Sequence, residues 1–273
     1  MIIDSHVHLW VQDPNHYPWN PIGGYIPESD ASLPGFMEII KNAGVERAVL
    51  VQPTPYGWDN AYLLDIKKEH GEFRAVVLVD PFSEHAGIEL ESLKQKGADG
   101  LRVNLHLNPP AIIDNPFFLK LMDAADALEL PVCFQLTPLY FGVIRDLAEN
   151  HPGMKIILDH LARPEKGIGV NGAPFHELFD LADYPNIFIK LSGLNYYSKE
   201  SAPYKDCWQY LALVNEHFSA QRCMWGSDYP LVEEHWNYKD NLATYQNKMG
   251  FPQEDLVWIL GKTALGIWWK EQK

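Results

Sequence analysis

A chain of 273 residues with 47% hydrophobic content is long enough to bury one large core, and nothing in its composition suggests a disordered or fibrous protein. Its formal net charge of -14 excludes a basic face for nucleic acid, so any anionic small molecule has to be drawn in by locally placed arginines. Three widely spaced cysteines, Cys133, Cys207 and Cys223, exclude a disulfide framework and a cysteine zinc cluster and fit a reducing cytoplasm.

The first element in chain order is Ile2–Asp4, a short apolar strand that runs into Asp4-Ser5-His6-Val7-His8. No basic or apolar leader precedes it, and no later stretch approaches the ~18 apolar residues of a membrane span, so neither export nor membrane insertion is expected. Residues two apart on a strand face the same way, so His6 and His8 point together as a metal-binding or proton-transfer pair. An isolated H-x-H is more often coincidence than site. Residues 11–33 follow, rich in Pro, Trp and Tyr, and read equally as a lid over a site or as a surface loop packed by its own aromatics.

Seven further apolar runs are expected as strands: Arg47–Val51, Arg74–Asp80, Gly100–Leu105, Pro131–Leu136, Lys155–Asp159, Ile187–Leu191 and Arg222–Trp225. Several are apolar at consecutive positions, as a strand covered on both faces requires. Helical spacing in Pro34–Asn42, Asp59–His70, Pro116–Leu128 and Asp206–His217 supplies crossover helices. Eight strand–helix repeats without a linker or composition break predict an α/β fold: one (β/α)8 TIM barrel domain over residues 1–273.

Catalytic residues of such barrels sit at the C-terminal ends of strands. Gln52, Asn104 and Gln135 end the second, fourth and fifth strands with neutral polar groups, suited to hydrogen-bonding a bound molecule or simply to satisfied core positions. Arg102 lies inside the apolar fourth strand, where an unpaired guanidinium is costly, so it needs either a substrate carboxylate or a barrel carboxylate. The sixth strand runs into Asp159-His160, of which one faces the barrel and the other the helices; His160 is placed inside. Arg163, three residues on, is a substrate contact or a solvated surface charge. Gly167–Gly172 matches G-x-G-x-x-G, but no strand leads into it, and it reads as a loop. Asp228, in Trp225-Gly226-Ser227-Asp228-Tyr229-Pro230, ends the eighth strand and lies beside the first if the barrel closes; it belongs to a His-His-Asp cluster or is a turn cap. Trp268 and Trp269 read as packing residues.

D-S-H-x-H, D-H-x-x-R-P, W-G-S-D-Y-P and the closing Gly261–Leu265 segment together resemble the amidohydrolase 2 branch of the amidohydrolase superfamily, and within it the sugar-acid lactonases and 2-pyrone-4,6-dicarboxylate lactonase. The resemblance spans nearly the whole chain. It implies a hydrolase of a small acidic lactone, in which Asp228 takes a proton from water, His6 and His8 are the paired first-strand histidines and His160 contacts substrate. It also tips Arg102 toward substrate. A metal, zinc or manganese, would be held by His6, His8 and Asp228. Metal-binding members of the branch usually add a fifth-strand histidine or a modified lysine. Phe134-Gln135-Leu136 offers a neutral amide instead, so no required metal is expected. The alternatives are a metal-dependent decarboxylase or hydratase of the same branch, or a non-catalytic barrel that binds a sugar acid. The expected partner is a small-molecule substrate, with no nucleic acid and no membrane; homo-oligomerisation is left open.

Overall fold

The computed structural model describes residues 1–164, 166 and 173–269, and the Gly167–Gly172 spacing lies outside them. Apolar, largely β-branched runs form eight parallel strands: β1 (Ile3–Val7), β2 (Arg47–Val51), β3 (Phe73–Leu78), β4 (Gly100–Asn104), β5 (Val132–Gln135), β6 (Ile156–Leu158), β7 (Ile187–Leu191) and β8 (Cys223–Trp225). They pair in sequence order from β1 to β8. Between them run the helices α1 (Leu33–Ala43), α2 (Ala61–Glu69), α3 (Ala86–Gln95), α4 (Pro116–Ala127), α5 (Phe141–Asn150), α6 (Ala173–Asp180) and α7 (Trp208–Phe218), with α8 (Tyr238–Asn247) after β8. This is a (β/α)8 barrel, nearly closed.

Its seam is made by a few specific contacts. Val7 bridges Tyr229 in parallel, His8 N donates to Tyr229 O at 2.7 Å, and Asp228 N donates to His6 O at 2.9 Å. Side chains stitch the same edge: Ser5 Oγ donates to Trp225 O, while Asp4 accepts from Ser227 N and from the Tyr238 hydroxyl of α8. Gly226 is required here, because a Cβ would lie 2.8 Å from His6 Cβ.

Two cores flank the sheet. The outer one lies between strands and helices. The inner one stacks Ile3, Val49, Val76, Cys133, Ile157 and Met224 at the barrel floor, where Ile267 and Trp268 close it from below. Trp269 offers its ring face to Arg74 and Arg47. No helix among the described residues is long and apolar enough to cross a membrane.

Two strand limits differ from the sequence reading in ways that matter. β1 does not stop at Asp4 but continues to Val7, with its register slipping between Asp4 and Val7. That irregularity moves the inward phase from Ile3 to His6, turns Asp4 outward and keeps His6 and His8 on one face. β6 ends at Leu158, one residue early, and residues 160–163 all take positive φ.

Candidate active site

The ends of β1, β6 and β8 converge on one carboxylate oxygen. Asp228 Oδ1 lies 3.7 Å from His6 Nε2, 3.7 Å from His8 Nε2 and 3.9 Å from His160 Nε2. It accepts no aligned hydrogen bond among the described residues, although it is buried. The other oxygen, Oδ2, accepts from the Tyr196 hydroxyl at 2.6 Å. Asp228 itself holds φ 63°, a conformation costing a non-glycine residue about 1 kcal/mol or more, maintained by its backbone bond to His6.

Each imidazole is fixed from behind. His8 Nδ1 meets Val51 O at 2.7 Å, His160 Nδ1 meets Ser192 Oγ at 2.9 Å, and His6 Nδ1 meets Lys190 Nζ at 3.0 Å. His6 and His8 also touch each other, Nε2 to Nε2, at 3.1 Å. Gly193, at φ 66°, is also required at the site, since a Cβ there would press within 2.8 Å of the His160 ring.

The expectation that Asp159 faces the helices is corrected. Strict alternation applies only while the chain is a strand, and β6 has already ended; the left-handed turn brings both Asp159 and His160 into the barrel. Asp159 is buried against Lys190 Nζ at 3.0 Å, His6 Nδ1 at 3.3 Å and Arg102 Nε at 3.7 Å. Arg102 therefore has its barrel carboxylate. It also donates to Gln52 O and to Gln135 Oε1 at 2.7 Å, and still lines the cavity.

Burial sets the charge states. It pushes the Asp228 carboxyl up to about 7, against the Tyr196 hydrogen bond and Arg102, which pull it down. Burial also drives the imidazoles toward their neutral forms: His8 down to about 3, assisted by Arg102; His6 well below its ordinary value, assisted by Lys190; and His160 likewise, assisted by His6. For Asp159 burial acts upward, but Lys190 and Arg102 outweigh it and hold the carboxyl below its ordinary value. Tyr196 is raised well above 10 by burial and then by Asp228, so it remains a donor.

A cavity of about 150 Å³ lies over this cluster, walled by His8, Arg102, Gln135, His160, Tyr196 and Asp228 among others. Gly23 and Tyr25, from the loop between β1 and α1, also line it, so that loop reaches the mouth. His6 lies beneath the wall, not on it. Gln52 is turned away, donating to Asp59 O at 2.6 Å. Asn104 opens on a neighbouring cleft of about 380 Å³ that shares Arg102 with the cavity. Arg163 stacks on the Tyr196 ring at 4.4 Å and borders another cleft together with His106.

Sequence reasoning missed Lys190, Tyr196, Ser192 and His106. Lys190 carried a usable signal, since a lysine inside Ile187–Leu191 demands a partner for the reason applied to Arg102. The others sit on loops without periodicity.

His6, His8 and Asp228 offer three ligand atoms within 4.8 Å of one another, enough in number for a divalent metal. Their spacing fits one as well: the two Nε2 atoms stand 3.1 Å apart with ring centroids 4.8 Å apart, so the two ring axes converge ahead of the rings as those of two ligands on one ion do.

Comparison with known proteins follows the same geometry. A family model described as amidohydrolase matches residues 3–268. The chain is 31% identical over 235 residues to an L-fucono-1,5-lactonase of Burkholderia ambifaria, covering 84% of this chain and 80% of that protein. A putative 2-pyrone-4,6-dicarboxylic acid hydrolase from Pseudomonas putida superposes with a TM-score of 0.86 at 25% identity, over 100% of this chain and 98% of that one. An amidohydrolase from Burkholderia multivorans, solved with bound zinc, superposes with a TM-score of 0.83 at 20% identity over 98% and 99% of the two chains and shows the shared fold.

Proposed function

The chain belongs to the amidohydrolase family, and from that premise we propose that it is a lactonase opening a small acidic or sugar-acid lactone with water activated by Asp228. The observation that carries this reading is the free, buried Asp228 Oδ1 at the cavity floor, on a carboxyl raised to about 7, where a general base works best near neutral pH. Water held by Oδ1 attacks the lactone carbonyl as Asp228 takes its proton. Negative charge then develops on the carbonyl oxygen, and Arg102 and His160 on the cavity wall supply the donors that stabilise it. The proton on Asp228 passes to the leaving alkoxide, which completes ring opening. Tyr196 keeps the base oriented through Oδ2.

No step is routed through a metal. His6, His8 and Asp228 would hold one, and its chemistry would be to lower the pKa of bound water. A lactone is electrophilic enough to proceed on neutral donors, whereas an amide is much less so, which favours the ester. Arg102 is assigned to a substrate carboxylate or hydroxyl, with Gln135 beside it; Gln52 supports the Arg102 guanidinium through its carbonyl. Asn104 and Arg163 are assigned to substituents that extend into the flanking clefts. Three buried, unpaired cysteines fit a cytoplasmic setting.

A pH-indicator assay on a panel of sugar-acid and dicarboxylate lactones tests the proposal. At least one anionic lactone should turn over, and Arg102→Met should raise its KM by the equivalent of ~2 kcal/mol or more. No turnover across the panel, with carbon dioxide released from aromatic acids instead, would replace the lactonase with a decarboxylase.

A further inference from the structure

At about 150 Å³, the cavity over Asp228 falls short of the ~300 to 1,000 Å³ usual for a small-molecule site, whereas the cleft beside it, at about 380 Å³, lies within that range. The two share Gly23, Arg102 and Leu107, so a group that leaves the first past Arg102 enters the second. The loops that follow β1, β2, β3 and β4 build the cleft, contributing Ile22, Trp58, Phe82 and Leu107 respectively. Backbone bonds tie the first two loops together: Asn20 N donates to Pro55 O and Ile22 N to Thr54 O, both at 3.0 Å.

The walls change character from the inner end outward. Arg102 and Asn104 stand two residues apart on β4 and so share one face at the inner end, and both polar atoms of the buried Asn104 side chain lack a hydrogen-bond partner among the described residues. Farther out the surface is apolar. Phe82 and Leu107 leave 41% and 45% of their surface open to water, and Ile22 and Trp58 are only half-buried, although a folded chain gains nothing from large apolar groups left in solvent around a cleft. Two further polar residues of the lining are engaged with backbone: Asp80 Oδ1 accepts from Phe82 N at 2.9 Å, and Asn108 Nδ2 donates to Asn104 O at 2.9 Å. A chain of hydroxyls placed here would exchange water for walls that offer few partners, and a second carboxylate would meet the negative charge of Asp80.

We propose that this cleft is a subsite for a neutral apolar arm of the substrate, so that the lactone this enzyme opens carries an alkyl or aryl substituent running from the ring past Arg102 and Asn104 onto Ile22, Trp58, Phe82 and Leu107. The inference rests on the lactonase reading and narrows it. The acidic ring occupies the cavity beside Asp228, and the group that sets specificity is apolar. Its burial supplies binding energy away from the reacting carbonyl, where it can be used to hold the ring in place for attack.

The test uses the full chain and two readouts. Five-membered lactones bearing a ring carboxylate and a methyl, propyl or pentyl arm are assayed for hydrolysis, with a dihydroxypropyl arm as the polar control, and the ring-opened hydroxy acids of the same series are titrated calorimetrically. A fully buried methylene is worth about fourfold; in a cleft open on one side, the pentyl member should exceed the methyl one by on the order of 10- to 100-fold in kcat/KM and in affinity, with the dihydroxypropyl member below propyl. Replacing two partly exposed walls together, Phe82→Ser with Ile22→Ser, should lower the pentyl-to-methyl ratio by about 5-fold or more. Affinities that ignore the arm or favour the hydroxylated one overturn the proposal, whether or not the double variant folds, and so does a folded double variant that keeps the full ratio. If no lactone turns over while hydroxy-acid affinity still rises with the apolar arm, the lactonase reading fails and the apolar subsite stands. Turnover of the series with arm-independent affinity does the reverse.

Discussion

In the proposed mechanism Asp228 combines a catalytic advantage with a structural cost. Its carboxyl is raised from the ordinary 3.8 to about 7, chiefly by burial. A group raised in the folded state adds stability that is complete below the unfolded pKa and lost as pH climbs through the folded one. Ionised above pH 7, it costs on the order of 4 kcal/mol, three units at ~1.36 each. Asp228→Asn keeps an acceptor for Tyr196 but cannot ionise. At pH 8 we expect a higher Tm with turnover lowered at least ~100-fold; a folded variant with wild-type turnover would remove Asp228 as the base. The same shift predicts that kcat/KM climbs nearly tenfold per pH unit below about 7 and levels off above it. A profile that is flat between pH 5 and 8 would assign the base elsewhere.

At the scale of the element, the site depends on how β1 meets β8. The inward phase of β1 changes between Asp4 and Val7, and the edge is held by side-chain and turn contacts in place of a regular ladder. Gly226 allows that approach. Gly226→Ala forces a methyl to 2.8 Å from His6 Cβ and to 3.2 Å from the His6 backbone nitrogen, so one edge must retreat. Overpacking of this kind costs ~1 to 3 kcal/mol, and here the displacement is transmitted to His6 and Asp228 together. Urea denaturation should show a lower midpoint and kcat should fall in the same variant; lost stability with full activity would mean that the seam does not set the site geometry.

For the whole molecule, a barrel with a net charge of -14 gathers buried cations around the proposed site. Arg102 and Lys190 are both held by Asp159, which couples the Arg102 guanidinium to the His6 side of the cluster. Purified protein should carry well under one metal per chain, and dialysis against chelator should leave turnover of a lactone substrate unchanged. Elemental analysis coupled to the activity assay checks this. Activity that disappears on chelation and returns with zinc or manganese would make the metal a working part of the enzyme.

Residues whose meaning depends on periodicity were legible from the chain alone. Eight buried parallel strands, the pairing of His6 with His8, and the arrival of Asp228 beside them all follow from consecutive apolar runs, the two-residue repeat of a strand and the closure of a barrel. Arg102 was legible as a cation that must be partnered, though not which partner it had; it has Asp159 and still reaches the cavity. What only the tertiary structure decided begins where regular geometry stops. Asp159 turns inward because β6 ends at Leu158 and the chain enters a left-handed run that no alternation rule covers. Tyr196 reaches Asp228 from a loop, with 32 residues between them in sequence. Lys190 meets His6 across 184 residues, a contact that no local pattern encodes. A sequence prescribes local periodicity because neighbouring residues share a backbone; the contacts within a buried cluster depend on distances between groups that the chain brings together only when the barrel closes.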